Sequence, residues 1–186
     1  MKMNENEYIP KDERKKILLL SDDMRMFSGV GTMSREIVSG TAHHYNWFQI
    51  GAAIKHPEQG KVVDVSDDIN KAIGITDSFV KVLPNNGYGD PDLVRFLMNA
   101  EKPDAILIYT DPRFFTWFFN MSHEIRRQIP IFYYNIWDDL PYPMYNRSYY
   151  QSCDLLMAIS KQTYNINKQV LGEGEYTEIN KERNYE

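Results

Sequence analysis

Cysteine is nearly absent. Cys153 stands alone in 186 residues, so no intramolecular disulfide can form and a zinc site built on cysteines is excluded. Between Ser152 and Asp154 it reads as a small buried residue rather than a nucleophile. Histidine is scarce as well: His43 and His44 are adjacent and point apart, while His56 and His123 are isolated, so no metal site is expected. No stretch approaches the roughly 18 apolar residues that a membrane-spanning helix needs. The polar start, MNENEYIPKDER, holds no apolar run of the signal-peptide kind, so no transmembrane segment is expected and the expected compartment is the cytoplasm. Basic runs are missing too. With a net charge of −5 and only the mixed-sign KDERKK near the start, no nucleic-acid binding through a basic surface is expected.

What is present suffices for a packed core: 42% of the residues are hydrophobic and 13% aromatic, which excludes disorder for the bulk of the chain. Residues 1–15 read as a flexible lead-in, 16–171 as one domain, and 172–186 (GEGEYTEINKERNYE) as a polar tail or linker. KILLLS (16–21) is a short apolar run bounded by charge, the mark of a strand buried on both faces. Val30, Met33, Ile37 and Val38 then recur at helical spacing, with Gly40 placed to stop the helix. Tyr45–Ile54 is the second strand; KVVDVS and SFVKVLP are weaker strands around DDINKAIGI. Asp90 before Pro91 predicts a capped helix whose apolar face is Leu93, Phe96 and Leu97. Ala105–Tyr109, Ile131–Ile136 and Leu155–Ile159 are further apolar strands. Helices are predicted over 114–127 and from Ser160 onward, the last with Tyr164 and Val170 in its register. Alternating apolar strands and helices predict an α/β, Rossmann-like, doubly wound and mainly parallel sheet with helices on both faces.

The segment SDDMRMFSGVGTMSRE (21–36) carries the one glycine loop that opens a helix. It departs from the dinucleotide fingerprint: Ser34 holds the third glycine position, Asp22–Ser28 separates the strand from the glycines, and Gly51 and Ala52 stand where an acidic residue belongs. No phosphate-loop NTPase motif is present. Two glycines at a strand-to-helix turn also have a plain steric use. As a ligand loop, they would let the backbone approach closely while the helix start presents N–H groups and its positive dipole end.

Ser28-Gly29-Val30-Gly31 after a first strand, Pro103-Asp104 entering the strand Ala105–Tyr109, and Asp154-Leu155-Leu156-Met157-Ala158-Ile159-Ser160-Lys161 follow one another in an order that resembles the amino-terminal domain of retaining glycosyltransferases of the GT-B fold (glycosyl transferase group 1, family 4-like). The likeness spans roughly residues 16–170, with serine in place of the loop's usual first glycine. It implies half of an enzyme that moves a sugar from a nucleotide-sugar donor to a hydroxyl of an acceptor, whether glycan, lipid or protein. The donor would be held mainly by a carboxyl-terminal GT-B domain, in cis or in trans, so this chain alone is expected to be inactive and to carry no cofactor of its own.

Ligands of such sheets lie beyond the carboxyl ends of the strands. Ser21-Asp22-Asp23, Thr110-Asp111-Pro112-Arg113, Trp137-Asp138-Asp139 and Ser160-Lys161 all fall there. The expected donor- or acceptor-binding residues are Ser28, Gly29, Val30, Gly31, Asp111, Arg113, Trp137, Ser160 and Lys161. Relatives often carry a histidine after the strand that here reads IFYYNI; this chain has none there, and Asp138 and Asp139 are the candidate catalytic carboxylates, set against turn or cap roles near Pro141. Two other readings stand beside this one. The first is a non-catalytic ligand-binding module of receiver or sensor type, suggested by Asp22-Asp23. The second is a dinucleotide-dependent oxidoreductase.

Overall fold

The computed structural model describes residues 8–52 and 57–172. Seven strands form one sheet: β1 (Lys15–Asp22), β2 (Tyr45–Ala52), β3 (Val63–Asp64), β4 (Val80–Pro84), β5 (Ala105–Tyr109), β6 (Ile131–Asn135) and β7 (Leu155–Ala158). Their spatial order is β3-β4-β2-β1-β5-β6-β7, parallel throughout except for β3 against β4. Leaving out the two-residue β3, this is the doubly wound order in which the chain reverses between β1 and β5.

The helices are α1 (Gly29–Thr41), α2 (Ser66–Ile73), α3 (Pro91–Glu101), α4 (Thr116–Asn120), α5 (Ser122–Arg126), α6 (Arg147–Gln151) and α7 (Lys161–Leu171). They divide unevenly over the two faces. In β1, Leu18 and Leu20 point to a face covered through Val94 and Leu97 of α3, Phe118 of α4, Ile125 of α5, Tyr150 of α6 and Ile166 and Val170 of α7. Ile17 and Leu19 point to the other face, where among the described residues only Val38 of α1 and Ile69 of α2 supply buried helical apolar contacts. These four β1 residues are buried, as the uninterrupted apolar run predicts for a central parallel strand.

Several boundaries differ from the sequence pattern. Gly40 lies inside α1, which runs on to Thr41. The helical stretch 114–127 is a 3-10 turn (Pro112–Phe115) followed by two five-residue helices that break at Met121. Phe96 and Tyr164 face outward, 64% and 51% exposed, while Val94 of α3 and Thr163 and Asn167 of α7 take the inner positions. Of the segment KVVDVS only Val63–Asp64 is strand, and β2 ends at Ala52; Ile54, Lys55 and His56 lie outside the described residues. Within the lead-in, residues 1–7 are likewise outside, but Arg14 is buried and tied down: it donates to the carbonyls of Ile9 and Asp77 and to the Asp77 carboxylate. Of the tail, only Gly172, the cap of α7, is described.

The two aspartates of the family-like motifs sit at the amino-terminal edge of the sheet. Asp104, just before β5, accepts the backbone N–H of Lys16 at 2.8 Å and an ion pair from Lys15. Asp154, just before β7, accepts the N–H of Ile131 at 2.8 Å and an ion pair from Arg126. Each carboxylate thereby staples the start of a neighbouring strand. Burial works against both charges, but the hydrogen bonds and cations outweigh it and hold both below the usual carboxylate range. A depressed folded value means stabilisation that is present above the unfolded value near 4 and is lost as the pH falls through the folded one. Asp104→Asn and Asp154→Asn should therefore each lower stability by about 1 kcal/mol at pH 7, both sites being partly exposed. In thermal melts the deficit should begin to shrink as the pH falls below about 4 and should vanish only once the pH has passed through the lowered folded values.

Candidate functional site

The carboxyl edge of the sheet is organised around the side chain of Gln49 on β2, which is buried. Its amide nitrogen donates to the Ser21 hydroxyl and the Asp22 carbonyl, both at 2.8 Å, and its oxygen accepts the N–H of Met24 at 3.0 Å. Ser21 in turn lies 2.9 Å from the Ser34 hydroxyl of α1. This network fixes the path from β1 into α1 and accounts for the long approach to the glycines. Met24 fills the core, and the Asp23 carboxylate is buried in a two-point ion pair with Arg25, at 2.9 and 2.7 Å. Gly51 makes room for it: a Cβ there would stand 2.7 Å from the Asp23 carboxylate and 2.9 Å from Val82. The position that lacks the dinucleotide-type acid is a glycine because another acid packs against it.

The two loop glycines do different work. Ser28 caps α1, its hydroxyl accepting the N–H of Gly31 at 3.0 Å. A Cβ on Gly31 would meet the backbone oxygens of Asp23 and Met26 at 2.8 Å, whereas nothing lies within 4 Å of one on Gly29. Gly31 is thus a packing requirement, and Gly29 with Val30 forms the open lip of the helix start. Phe27, 99% exposed, stands at the tip of the same loop. Asp22, the last residue of β1, faces this lip. One carboxylate oxygen accepts the Ser28 hydroxyl at 3.2 Å and the other accepts the Tyr88 hydroxyl at 2.9 Å. Burial and the bond to Asp22 push the Tyr88 phenol well up, so it stays a donor. The Tyr88 ring stacks on Phe114 at 4.5 Å.

Across the chain reversal, β5 is followed by Thr110 at φ 148°, a region that a β-branched residue rarely adopts and that costs on the order of 1–3 kcal/mol. The Tyr133 hydroxyl holds it by donating to the Thr110 carbonyl at 2.9 Å. Strain of this kind concentrates at functional sites. Asp111 follows, accepting the Arg113 N–H at 2.9 Å and the Arg113 guanidinium on both oxygens. Burial opposes the Asp111 charge, and the bonds from Arg113 overcome it and hold the carboxyl low. The guanidinium also lies 5.5 Å from the centre of the Trp137 ring.

At the end of β6, the buried Asn135 accepts the Trp137 N–H at 3.1 Å and donates to the Tyr150 hydroxyl and to Asn167. Trp137 is pinned further by its indole N–H, 3.0 Å from the Asp139 carbonyl, and by an edge contact with Tyr145. A cavity of about 220 Å³ opens here, lined among others by Asp111, Pro112, Asn135, Trp137, Asp138 and Asp139. Asp139 has a turn role, accepting the N–H of Leu140, while Gln162 of α7 donates to the Asp138 carbonyl. Both carboxylates belong to exposed residues on the cavity wall.

Of the residues expected from sequence, Asp111, Trp137, Asp138 and Asp139 are gathered in this cavity, with Arg113 at its edge. Ser28–Gly31 lie at a separate lip, linked to it through Asp22, Tyr88 and Phe114. Ser160 caps α7, accepting the Thr163 N–H, and Lys161 lies over the Tyr164 ring; neither lines the cavity. Gln49, Tyr88 and Asn135 were not expected. A buried Gln and a buried Asn inside apolar strands were the available signals for two of them; Tyr88 had none. Among the described residues no group of three or more His, Cys, Asp or Glu is placed to hold a metal ion, and no helix is long and apolar enough to cross a membrane. Comparison with known proteins finds no matching family model, no similar curated protein and no similar solved structure.

The contrast between the glycines is measurable. Gly31→Ala should cost 2 kcal/mol or more in chemical denaturation, because backbone oxygens cannot move aside, whereas Gly29→Ala should be neutral or stabilising by up to about 1 kcal/mol.

Proposed function

We propose that the chain is the acceptor-side lobe of a glycosyltransferase, binding a hydroxyl-bearing acceptor at the carboxyl edge of the sheet. A second α/β lobe, in cis or in trans, would supply the nucleotide-sugar site. The observation that carries this reading is the cavity in which Trp137 stands beside Asp111, Asp138 and Asp139 next to the reversal between β1 and β5. An indole face and carboxylate acceptors are the complement of a sugar ring, which offers C–H surface on one side and hydroxyl donors at its rim. Asp138 and Asp139 are the groups able to accept a proton from an acceptor hydroxyl, and Asp111, neutralised by Arg113, serves as a fixed hydrogen-bond acceptor. The lip at Gly29 and Val30 faces the same edge. Asp22 beside it, already bonded to Tyr88 and Ser28, makes it a poorer seat for a doubly charged phosphate than the glycines alone suggest.

Neither alternative gains from the geometry. A receiver needs both acids after the first strand for metal binding, and here the Asp23 carboxylate is buried against Arg25. A dinucleotide enzyme needs an acid at the end of β2, where Gly51 is held small by Asp23.

Titration with neutral oligosaccharides followed by saturation-transfer NMR tests the proposal. Ring protons of a bound glycan should receive saturation from the protein. Trp137→Ala should weaken binding about tenfold or more, and Asp138→Asn with Asp139→Asn several-fold, without lowering the melting temperature by more than a few degrees. Absence of saturable binding to any glycan, lipid-linked sugar or hydroxylated peptide would sink it.

A further inference from the structure

The cavity beside Trp137 carries more negative charge than a neutral sugar requires. Asp111, Asp138 and Asp139 line it, and among the described residues no lysine, arginine or histidine does. Asp138 and Asp139 are exposed, and among the described residues neither carboxylate is in an ion pair; that of Asp139 accepts the Leu140 N–H. A second observation, separate from the acids, concerns the indole. The one cation at the cavity edge is the protein's own: Nε of Arg113 lies 2.9 and 3.0 Å from the two Asp111 oxygens, and the guanidinium centre stands 5.5 Å from the middle of the Trp137 ring. A carboxylate together with an indole ring holds a cation both by charge and by the ring's quadrupole. Asp111 and Trp137 therefore form a seat that takes a positive group. The Arg113 side chain is 56% exposed, and an ion pair this open to water is weakly held, so a ligand cation can take its place.

We propose that the acceptor is an amino sugar whose free ammonium group displaces the Arg113 guanidinium from Asp111 and Trp137, with Asp138 and Asp139 adding their field from the cavity wall. The inference rests on the acceptor-side reading above and names the class of acceptor. Any sugar offers hydroxyl donors to these carboxylates. The ammonium adds a full positive charge beside three carboxylates whose only counter-ion it replaces, and an N-acetyl or hydroxyl group in the same place does not. Arg113 thereby acts as an internal competitor: its guanidinium occupies the seat until a charged ligand outbids it, whereas a neutral sugar has nothing with which to displace it.

The test is calorimetric titration of the whole chain, at about pH 6 where aspartates are ionised and sugar amines protonated. The β-1,4-linked trimers of glucosamine, N-acetylglucosamine and glucose are compared, since they differ only in the group at C2. The glucosamine trimer should bind about tenfold more tightly than the other two, and its advantage should shrink as salt is added. Arg113→Gln removes the competing cation from an exposed position. It should raise affinity for the glucosamine trimer about three- to tenfold and leave the glucose trimer within about twofold, with the melting temperature near that of the wild type. Asp138→Asn with Asp139→Asn should remove most of the charged trimer's advantage. Lysine amide, an amine without a sugar ring, should bind about tenfold more weakly than the glucosamine trimer. Equal affinity for the three trimers overturns the inference and leaves the acceptor reading standing, as does an Arg113→Gln variant that binds the charged trimer no better. Lysine amide binding as well as the charged trimer overturns the assignment to a sugar. Binding of none of the trimers also overturns the inference, and the acceptor reading then rests on its own titration with other glycans, lipid-linked sugars and hydroxylated peptides.

Discussion

A single amide group sets the geometry of the carboxyl edge. Gln49 is carried by β2, yet it hydrogen-bonds three points on the way out of β1: the Ser21 hydroxyl, the Asp22 carbonyl and the Met24 N–H. All are buried, so each bond is made where water cannot substitute, and loss of the amide would leave several backbone and hydroxyl groups unpaired. Asp22, Asp23, the cap at Ser28 and the lip at Gly29 all take their positions from this anchor. The edge is preorganised from beneath, by a neighbouring strand, rather than by the loop's own residues.

The second half of the edge is built on the same plan. Asn135 on β6 gathers the Trp137 N–H, Tyr150 and Asn167, while Tyr133 holds the strained Thr110. On each side of the chain reversal a buried amide carried by a strand, Gln49 within β2 and Asn135 at the end of β6, thus fixes the acidic turn beside it. Between them, Tyr88 and Phe114 stack to join the two halves. The cavity beside Trp137 is lined by Asp111, Asp138 and Asp139, and the guanidinium of Arg113 next to it is already paired with Asp111, so its electrostatics disfavour anions.

Much of this fold was legible in the sequence because parallel strands buried on both faces must be apolar without interruption, as in KILLL and AILIY. Asp90-Pro91 likewise marked the start of α3, where the Asp90 side chain accepts the Leu93 N–H. The helix around 114–127 was misjudged because six aromatic or aliphatic residues in it hide a break at Met121 that periodicity does not register. The site was half legible. Residues that end strands gather at one edge by topology alone, which placed Asp111, Trp137, Asp138 and Asp139 together. Tyr88 arrives from a loop 66 positions away from Asp22, and no local pattern announces such a contact. The motifs at Asp104 and Asp154 carried the family likeness, yet both carboxylates staple strand starts at the opposite edge. They speak to the fold rather than to the chemistry.

That placement has a consequence for how such a domain can change. The carboxylates that lock neighbouring strands together and the side chains that line the cavity beside Trp137 occupy opposite ends of the sheet, a separation at which effects of substitution add independently. The turns after β5 and β6 can therefore be rewritten without touching the staples, so the frame tolerates change at its carboxyl edge at little expense in stability.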